Sequence, residues 1–424
     1  MRRAVYDVIV VGAGPGGSAC ASFLARDGHR VLLVDKARFP RDKTCGDAIS
    51  GKSAAVLREL GIADLVEERP HAVAEGVLFS GPRDDKVQIP FPRDVDPTGI
   101  KNSKKYNYVT AGWVARRLVF DEMVFRHAQS YKSIETWEDA EVKDVIFENG
   151  RAVGIKIGDG REARARLVIG ADGAMSVVAQ KTGAFERDRD HWIGAYRVYM
   201  TGVTGMTRDI EIHFVEGLIP GYFWIFPLDD GMANVGSGMI ETDLQAMRKD
   251  GAKKVQLIAD TERIMREHPA FKERFADARE VPGSKRGWVL PLGSKHRPVA
   301  GDGWMLVGDA AALIDPFSGE GIGNAMVSGR LAAAAATKAI AANNVSKPFL
   351  AEAYEKPLRA ELDEELQMSY KLQQLGRHRV LLNFVLRRAA KRPKVRETIS
   401  AMLADREKKE EFASAWFYVK LLFM

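Results

Sequence analysis

The stretch Tyr6-Asp-Val-Ile-Val-Val11, running on through Gly12-Ala-Gly14-Pro-Gly-Gly17 to Ser18–Arg26, decides the fold. Its first six residues are a β-branched run of the kind that fills a strand buried on both faces of a parallel sheet. Gly12 then permits a tight turn, Gly14 lets the backbone approach a pyrophosphate, and Gly17 lets a helix pack closely on the strand. Ser18 to Arg26 reads as that helix, with its N-terminal amides facing an anion. A second buried strand, Arg30-Val-Leu-Leu-Val-Asp35, ends in an acid placed to accept hydrogen bonds from a ribose. Strand, helix and strand form a βαβ unit that binds a dinucleotide.

Outward from this unit, two further buried strands end in suggestive loops. Arg166-Leu-Val-Ile-Gly170 leads into Ala171-Asp172-Gly173, and Trp304-Met-Leu-Val-Gly308 leads into Asp309-Ala310-Ala311 and the glycine-rich Phe317 to Gly323. Taken alone, either Asp/Gly pair is as well explained as an ordinary turn. Between Gly76 and Pro92, and again between Trp192 and Gly287, the pattern alternates as in half-buried strands. From Gly329 onward it turns helical. The layout is that of a cofactor domain interrupted by a mostly β substrate domain.

Composition narrows the class. The 424 residues, 46% hydrophobic and 28% charged, give an ordinary globular chain with material for a large core, which excludes disorder and collagen-like repeats. Cys20 and Cys45 are the only cysteines, too few for a disulfide framework or a four-cysteine zinc site, so a cytoplasmic location is expected. The eight histidines show no ligand spacing, and no metal is expected. Arg2 and Arg3 before an uncharged stretch imitate a secretory signal, but Pro15 and the glycines interrupt its apolar segment. A net charge of +6 comes without a recognisable nucleic-acid module, so no nucleic-acid partner is expected.

The fingerprint, the Asp172-Gly173 loop and the Gly308-Asp309 strand end, in this order, resemble the FAD-dependent para-hydroxybenzoate hydroxylase superfamily. Within it, four stretches resemble the geranylgeranyl reductase family. These are Phe39-Pro-Arg-Asp-Lys-Thr-Cys45-Gly46-Asp47, Gly221-Tyr222-Phe-Trp224-Ile-Phe226-Pro227, Asn234-Val-Gly236-Ser-Gly238 and Pro316-Phe-Ser-Gly319-Glu320-Gly321-Ile322. The resemblance implies an α/β fold. Its parts would be an FAD-binding Rossmann-like domain (1–75, 108–182 and 285–345), an inserted mostly β substrate-binding domain (76–107 and 183–284) and a C-terminal helical region (346–424).

It further implies that Gly12, Gly14, Gly17, Asp35, Arg117, Asp172 and Asp309 hold FAD, while Gly319, Gly321 and Ile322 border its reactive ring. For Arg117 a solvated position on a helix face is the competing reading. Tyr222, Trp224 and Phe226 alternate along a strand and share one face. That face suits a long apolar chain, with plain core packing as the alternative. The implied activity is saturation of polyprenyl C=C bonds in a lipid, a prenyl diphosphate or a menaquinone tail. NADPH or a ferredoxin-like reductant would be the electron donor. An FAD-dependent monooxygenase and an electron-transfer flavoprotein acting on quinones are the rival readings.

An isolated alkene is not polarised by a carbonyl, so hydride attack on it needs a proton donor. Cys45 is the family-matched candidate for direct chemistry or substrate orientation, with Tyr222, Asp47 and water as rivals. Cys20 reads as a small core residue. Near the C-terminus, Arg377, Arg379, Arg387, Arg388, Lys391, Arg392 and Lys394 flank Leu381 to Leu386, and Phe412 to Met424 is apolar and aromatic. Two readings of this region are open: helices covering the FAD domain, or peripheral contact with the inner face of a membrane. The fingerprint itself predicts that Gly14→Val abolishes cofactor binding, measured as flavin released per chain, and that the released flavin is FAD and not FMN.

Overall fold

The computed structural model describes residues 6–91, 112–249 and 256–392. Its first sheet is built on the βαβ unit. Tyr6–Val11 lies between Val31–Val34 and Glu162–Gly170, and these are flanked by Ile134–Trp137 on one side and Trp304–Leu306 on the other, all parallel. Val142–Glu148 and Arg151–Ile157 extend the long Glu162–Gly170 strand as an antiparallel meander. The strands buried on both faces carry Val, Ile and Leu, as the unbroken apolar runs require.

The fingerprint helix is longer than its sequence suggested. It spans Pro15–Arg26, with Gly14 as N-cap and Pro15 in the first turn. Proline suits that position, because its fixed φ is helical and its missing N–H would have had no intrahelical partner. Helix Ile322–Ala341 crosses this helix at close range and begins seven residues before Gly329, directly at the glycine-rich loop. A Cβ on Gly16 would meet the Ala325 carbonyl oxygen at 2.8 Å, and one on Gly329 would collide with the Gly16 carbonyl.

The second large sheet runs Arg279–Glu280, Trp192–Thr201, Ala233–Ile240, Tyr222–Pro227, Asp209–His213, Gly76–Ser80 and Lys86–Pro90, with Arg286–Pro291 also paired to Trp192–Thr201. The alternating stretch expected from Trp192 to Gly287 is interrupted by two helices, Glu241–Lys249 and Leu257–Glu267. The second of these buries Ile264 and Met265 against Phe223, Ile225 and Val235, on one face of the sheet. The other face carries Ile212, Phe214, Trp224 and Phe226. A small sheet of Ala48–Ile49, Gly112–Val114 and Ala72–Ala74 lies between the strands that enter and leave.

The C-terminal helices do not cover the FAD-type sheet alone. Helix Lys356–Gly376 starts on that core with Leu358, Leu362 and Leu366, and its end reaches the second sheet at Leu372. Helix Arg379–Lys391 packs Leu386 and Ala389 on the second sheet, with Leu386 over Gly81. Arg377 pairs with Asp243 at 2.8 Å and Arg379 pairs with Glu216, so two of the basic residues in this region are tied to the protein itself. Lys394 and the Phe412–Met424 tail lie outside the described residues. No helix among the described residues is long and apolar enough to cross a membrane.

The helix crossing at Gly16 and Gly329 leaves no room for a side chain. Gly329→Val is expected to destabilise the protein by about 1–3 kcal/mol through overpacking. Denaturant midpoints should show this, with flavin content falling in parallel because the displaced helix carries the fingerprint loop.

Candidate active site

Gly12 sits at φ +99° with its amide bonded to the Val34 carbonyl at 2.7 Å. A Cβ there would stand 2.8 Å from Cα of Asp172, so the strand-end loops crowd the turn. The following amide, Ala13 N–H, donates to Asp35 Oδ2 at 2.8 Å, and Ala37 N–H donates to its Oδ1 at 2.9 Å. Asp35 thus ties the glycine turn to the end of the second strand. No side chain caps the helix that starts at Pro15, and its N-terminal amides form a ready anion cradle. The one heavy atom within 4 Å of a Cβ on Gly14 is Arg41 Nη2, at 3.5 Å. A cationic side chain therefore stands over an open glycine turn and a bare helix N-terminus, an arrangement that fits a pyrophosphate.

The segment from Phe39 to Asp47 is held from several sides. Phe39 stacks on Phe125 at 4.3 Å between ring centroids, and Arg41 pairs with the buried Asp121 at 2.6 Å. Asp42 lies between Arg197 and Arg286, at 2.8 and 2.9 Å. Lys43 reaches Asp309 at 2.8 Å, and a Cβ on Gly321 would stand 3.4 Å from Asp309 Oδ1. A Cβ on Gly46 would stand 2.7 Å from the Phe226 ring. Asp47, in the left-handed region at φ +67°, accepts from Tyr199 Oη and Asn234 Nδ2, both at 2.8 Å. One short segment therefore meets the fingerprint, the Asp309 loop and the aromatic strand.

That strand places Tyr222, Trp224 and Phe226 on one face, with ring centroids 6.0 and 6.2 Å apart. Tyr222 Oη donates to the Ser318 carbonyl at 3.0 Å, which fixes the wall to the glycine-rich loop. An apolar cleft opens beside it, lined by Phe79, Ile212, Phe214, Tyr222, Phe317 and Gln373. Gly319 takes φ +74°, and its Cα faces the Tyr222 hydroxyl. Glu320 bonds Ser50, and Lys52 beneath the loop joins Asn324 and Glu365. Burial pushes the Glu320 carboxyl up, against the pull of Lys52. Ile322, the first residue of its helix, is buried.

Two residues expected at the cofactor also hold the protein itself. Asp172 accepts from Ser176 Oγ, Val177 N–H and Val178 N–H at 2.5, 2.6 and 3.2 Å. These bonds hold the start of helix Val177–Lys181, as a short acid at a turn readily does. Arg117 is not a solvated helix-face residue. It is 3% exposed and grips Asp121 with Nε and Nη2 at 2.6 and 2.7 Å. Although burial opposes its charge, Asp121 and the hydrogen-bonded Cys45 side chain hold it protonated. Arg41, Lys43 and Asn234 were not singled out from sequence. The first two stand in the cysteine segment among ordinary surface-type charges, and only their partners from distant strands and helices reveal a role.

The electrostatics keep protons in this region. Burial pushes the Cys45 thiol up, opposed by Arg117 and by the Asp47 amide, so the sulfur carries its proton at neutral pH. Burial pushes Asp47 up to about 6, opposed by Arg197, Tyr199 and Asn234. Its Oδ1 has no partner among the described residues. Burial and the nearby Asp315 also raise Tyr222, whose hydroxyl stays protonated and committed to Ser318. Both cysteines are free, and Cys20 is fully buried in the helix core. No group of three or more metal-binding side chains occurs among the described residues.

An FAD-binding-domain family matches residues 5–356. A menaquinone reductase of Mycobacterium tuberculosis is 32% identical over 333 residues, covering 77% of this chain and 75% of that protein. A digeranylgeranylglycerophospholipid reductase of Thermoplasma acidophilum is 31% identical over 369 residues, covering 85% of each. The crystal structure of a geranylgeranyl bacteriochlorophyll reductase-like protein from T. acidophilum superposes with a TM-score of 0.78 at 26% identity, over 93% of this chain and 96% of that one. Fold and site thus define an FAD-dependent oxidoreductase. The chain belongs to the geranylgeranyl reductase family of these flavoproteins.

Asp47 generates a pH-dependent prediction. A carboxyl near 6 when folded and near ~3.9 when unfolded binds its proton more tightly in the folded state. Its ionisation therefore costs stability as pH rises from about 4 to about 6, by up to roughly 2–3 kcal/mol. Asp47→Asn is expected to abolish this slope, so that its stability gain over wild type grows from pH 4 to pH 6 and is constant above. Urea midpoints across that range check it.

Proposed function

We propose that this protein reduces isolated C=C bonds of a polyprenyl group carried on a lipid, a prenyl diphosphate or a quinone. The observation that carries the reading is the aromatic wall. Tyr222 is bonded to the glycine-rich loop at Ser318, Phe226 lies against Gly46 beside Cys45, and an apolar cleft adjoins Tyr222. The printed activities of the relatives, on menaquinone and on digeranylgeranyl phospholipid, support a prenyl-bearing substrate.

When bound, FAD supplies the hydride. The protein's own residues hold and orient. Gly12, Gly14, Gly17, Asp35 and Asp309 would cradle the dinucleotide, with Arg41 and Lys43 adding positive charge. Gly319, Gly321 and Ile322 would shape the edge of the ring. Trp224 and Phe226 exclude water from the chain, and Cys45 Sγ holds the proton that the second alkene carbon requires. A buried neutral thiol is a weak acid, but Arg117 and the Asp47 amide stand ready to stabilise the thiolate left after transfer. Asp47, near 6 and so mostly ionised at neutral pH, is suited to relay a proton from solvent to that thiolate. NADPH or a ferredoxin-like protein restores the electrons. The first large sheet would carry the FAD-binding part and the second, with Arg286–Pro291 on it, the substrate-binding part, and the basic C-terminal helix Arg379–Lys391 is suited to rest on an anionic membrane surface.

Expression in a heterologous host followed by mass spectrometry of quinones, phospholipids and prenyl diphosphates tests the reading. A gain of one H2 per reduced bond in a prenyl chain is expected. Hydroxylated product with substrate-stimulated oxygen uptake would instead mark a monooxygenase, and a reduced quinone headgroup with an intact tail an electron-transfer flavoprotein. In single-turnover oxidation of the reduced enzyme by substrate, Cys45→Ser should retain FAD yet slow the alkene step by at least about tenfold, roughly 1.4 kcal/mol. An unchanged rate would remove Cys45 from the chemistry.

A further inference from the structure

Asn234 is fully buried on strand Ala233–Ile240, opposite Tyr199 on one neighbouring strand and Phe226 on the other. Its Oδ1 accepts from Trp224 Nε1 at 2.9 Å. Its Nδ2 donates to the Cys45 carbonyl at 2.7 Å and to Asp47 Oδ2 at 2.8 Å. The orientation of the amide is unambiguous, because an indole N–H can only donate and a carbonyl can only accept. One carboxamide thus spends its acceptor on the aromatic wall and both its hydrogens on the cysteine segment. The indole is pressed from below as well: a Cβ on Gly236 would collide with the Trp224 ring. Trp224 therefore has little freedom except along the hydrogen bond to Asn234.

We propose that Asn234 is a positioning residue that couples the Trp224 wall to the Cys45–Asp47 segment, so that the bound chain and the thiol are set at one fixed separation. The proposal rests on the reading of Trp224 as substrate wall and Cys45 as proton donor. No other common side chain can do this in the same volume. Aspartate lacks the two donors and would set a carboxylate against the Cys45 carbonyl and the Asp47 carboxylate. Leucine keeps the shape but takes the Asn234 partner from Trp224 Nε1 and from the Cys45 carbonyl, and leaves Asp47 Oδ2 with Tyr199 alone. With the coupling lost, the wall and the segment each relax on their own, and displacement of a reacting atom by an ångström is enough to cost a large part of the rate.

The test reads the coupling without the reaction. In FAD-loaded Cys20→Ala protein, alkylation of Cys45 by iodoacetamide at pH 7 reports how firmly the segment is held. Asn234→Leu is expected to keep its FAD and to be alkylated at least about fivefold faster, a change of about 1 kcal/mol in the hold on the segment. Trp224→Phe keeps a ring but removes the indole N–H, and it too should speed alkylation. The double variant should be no faster than Asn234→Leu alone, because the two positions act through one bond chain. Single turnover should show the alkene step slowed about tenfold or more in Asn234→Leu, with reduction of FAD by the donor unaffected. Unchanged alkylation in Asn234→Leu, or in Trp224→Phe if the former fails to fold, would overturn the proposal. So would simple addition of the two effects. Should Cys45→Ser leave the alkene step untouched while alkylation behaves as expected, the proton-donor reading falls and the positioning role stands.

Discussion

Everything at the site hangs on how the nine residues from Phe39 to Asp47 are pinned between the two large sheets. The central fastening is the Asp42 carboxylate, clasped by the fully buried Arg197 and by Arg286. Such pairs add little net stability, since the desolvation of two ions roughly consumes their attraction. Their value lies in what separation would cost. Lifting the segment would leave Arg197 as an unpaired charge in the interior, at about 3–5 kcal/mol, and would open Lys43–Asp309 and Arg41–Asp121 with it. The cysteine therefore has one position relative to the fingerprint on one side and the aromatic strand on the other.

The same fastenings set the charge around the sulfur. Arg117 is neutralised by Asp121, which Arg41 also grips, so these two cations share one carboxylate and a residual positive field remains near Cys45. Burial alone would make the thiol inert. The field makes its anion attainable without making it the resting form. Asp47 works in the opposite sense, a buried carboxyl whose donors fall on one oxygen and leave the other bare. A weakly acidic thiol and a carboxyl that titrates near 6 thus stand two residues apart in sequence, both tied to Asn234.

The parts of this that local sequence encodes were legible, and the parts made by distant contacts were not. The glycine turn and the alternation of Tyr222, Trp224 and Phe226 are determined within a few residues by steric and periodic constraints, and the structure has that turn and that shared face. The helix start moved to Pro15 because a proline in a first turn is as much a beginning as an interruption. A strand-end Asp-Gly pair can serve as a ligand or as a cap with the same local sequence, and the bonds of Asp172 to Ser176 and the next amides add a cap that the sequence does not show. For Arg117 a place at the cofactor and a solvated helix face were both open, because Asp121, one helical turn away, could as well have formed a surface pair, and its burial removes the second. Asn234 was one small polar residue in a β-strand. Its importance appears only when Cys45 and Asp47, 189 and 187 residues away, come to one end of its amide while Trp224 of the adjoining strand meets the other.

The buried amide of Asn234 on this sheet face also explains why the wall is built from tryptophan at that one position. Tyr222 and Phe226 satisfy the site by their edges alone, the first through a hydroxyl at the mouth and the second by contact with Gly46. Position 224 needs a broad apolar surface and, on its inner edge, a single donor with no acceptor to compete for the amide hydrogens. Indole is the one natural side chain that offers both. Phenylalanine there would leave Asn234 Oδ1 without a partner, and tyrosine would carry its hydroxyl too far along the ring axis to reach it. The apolar face of the wall and the polar scaffold that holds the cysteine segment are thus two sides of the same ring, which is how this part of the site can be dry and still be firmly held.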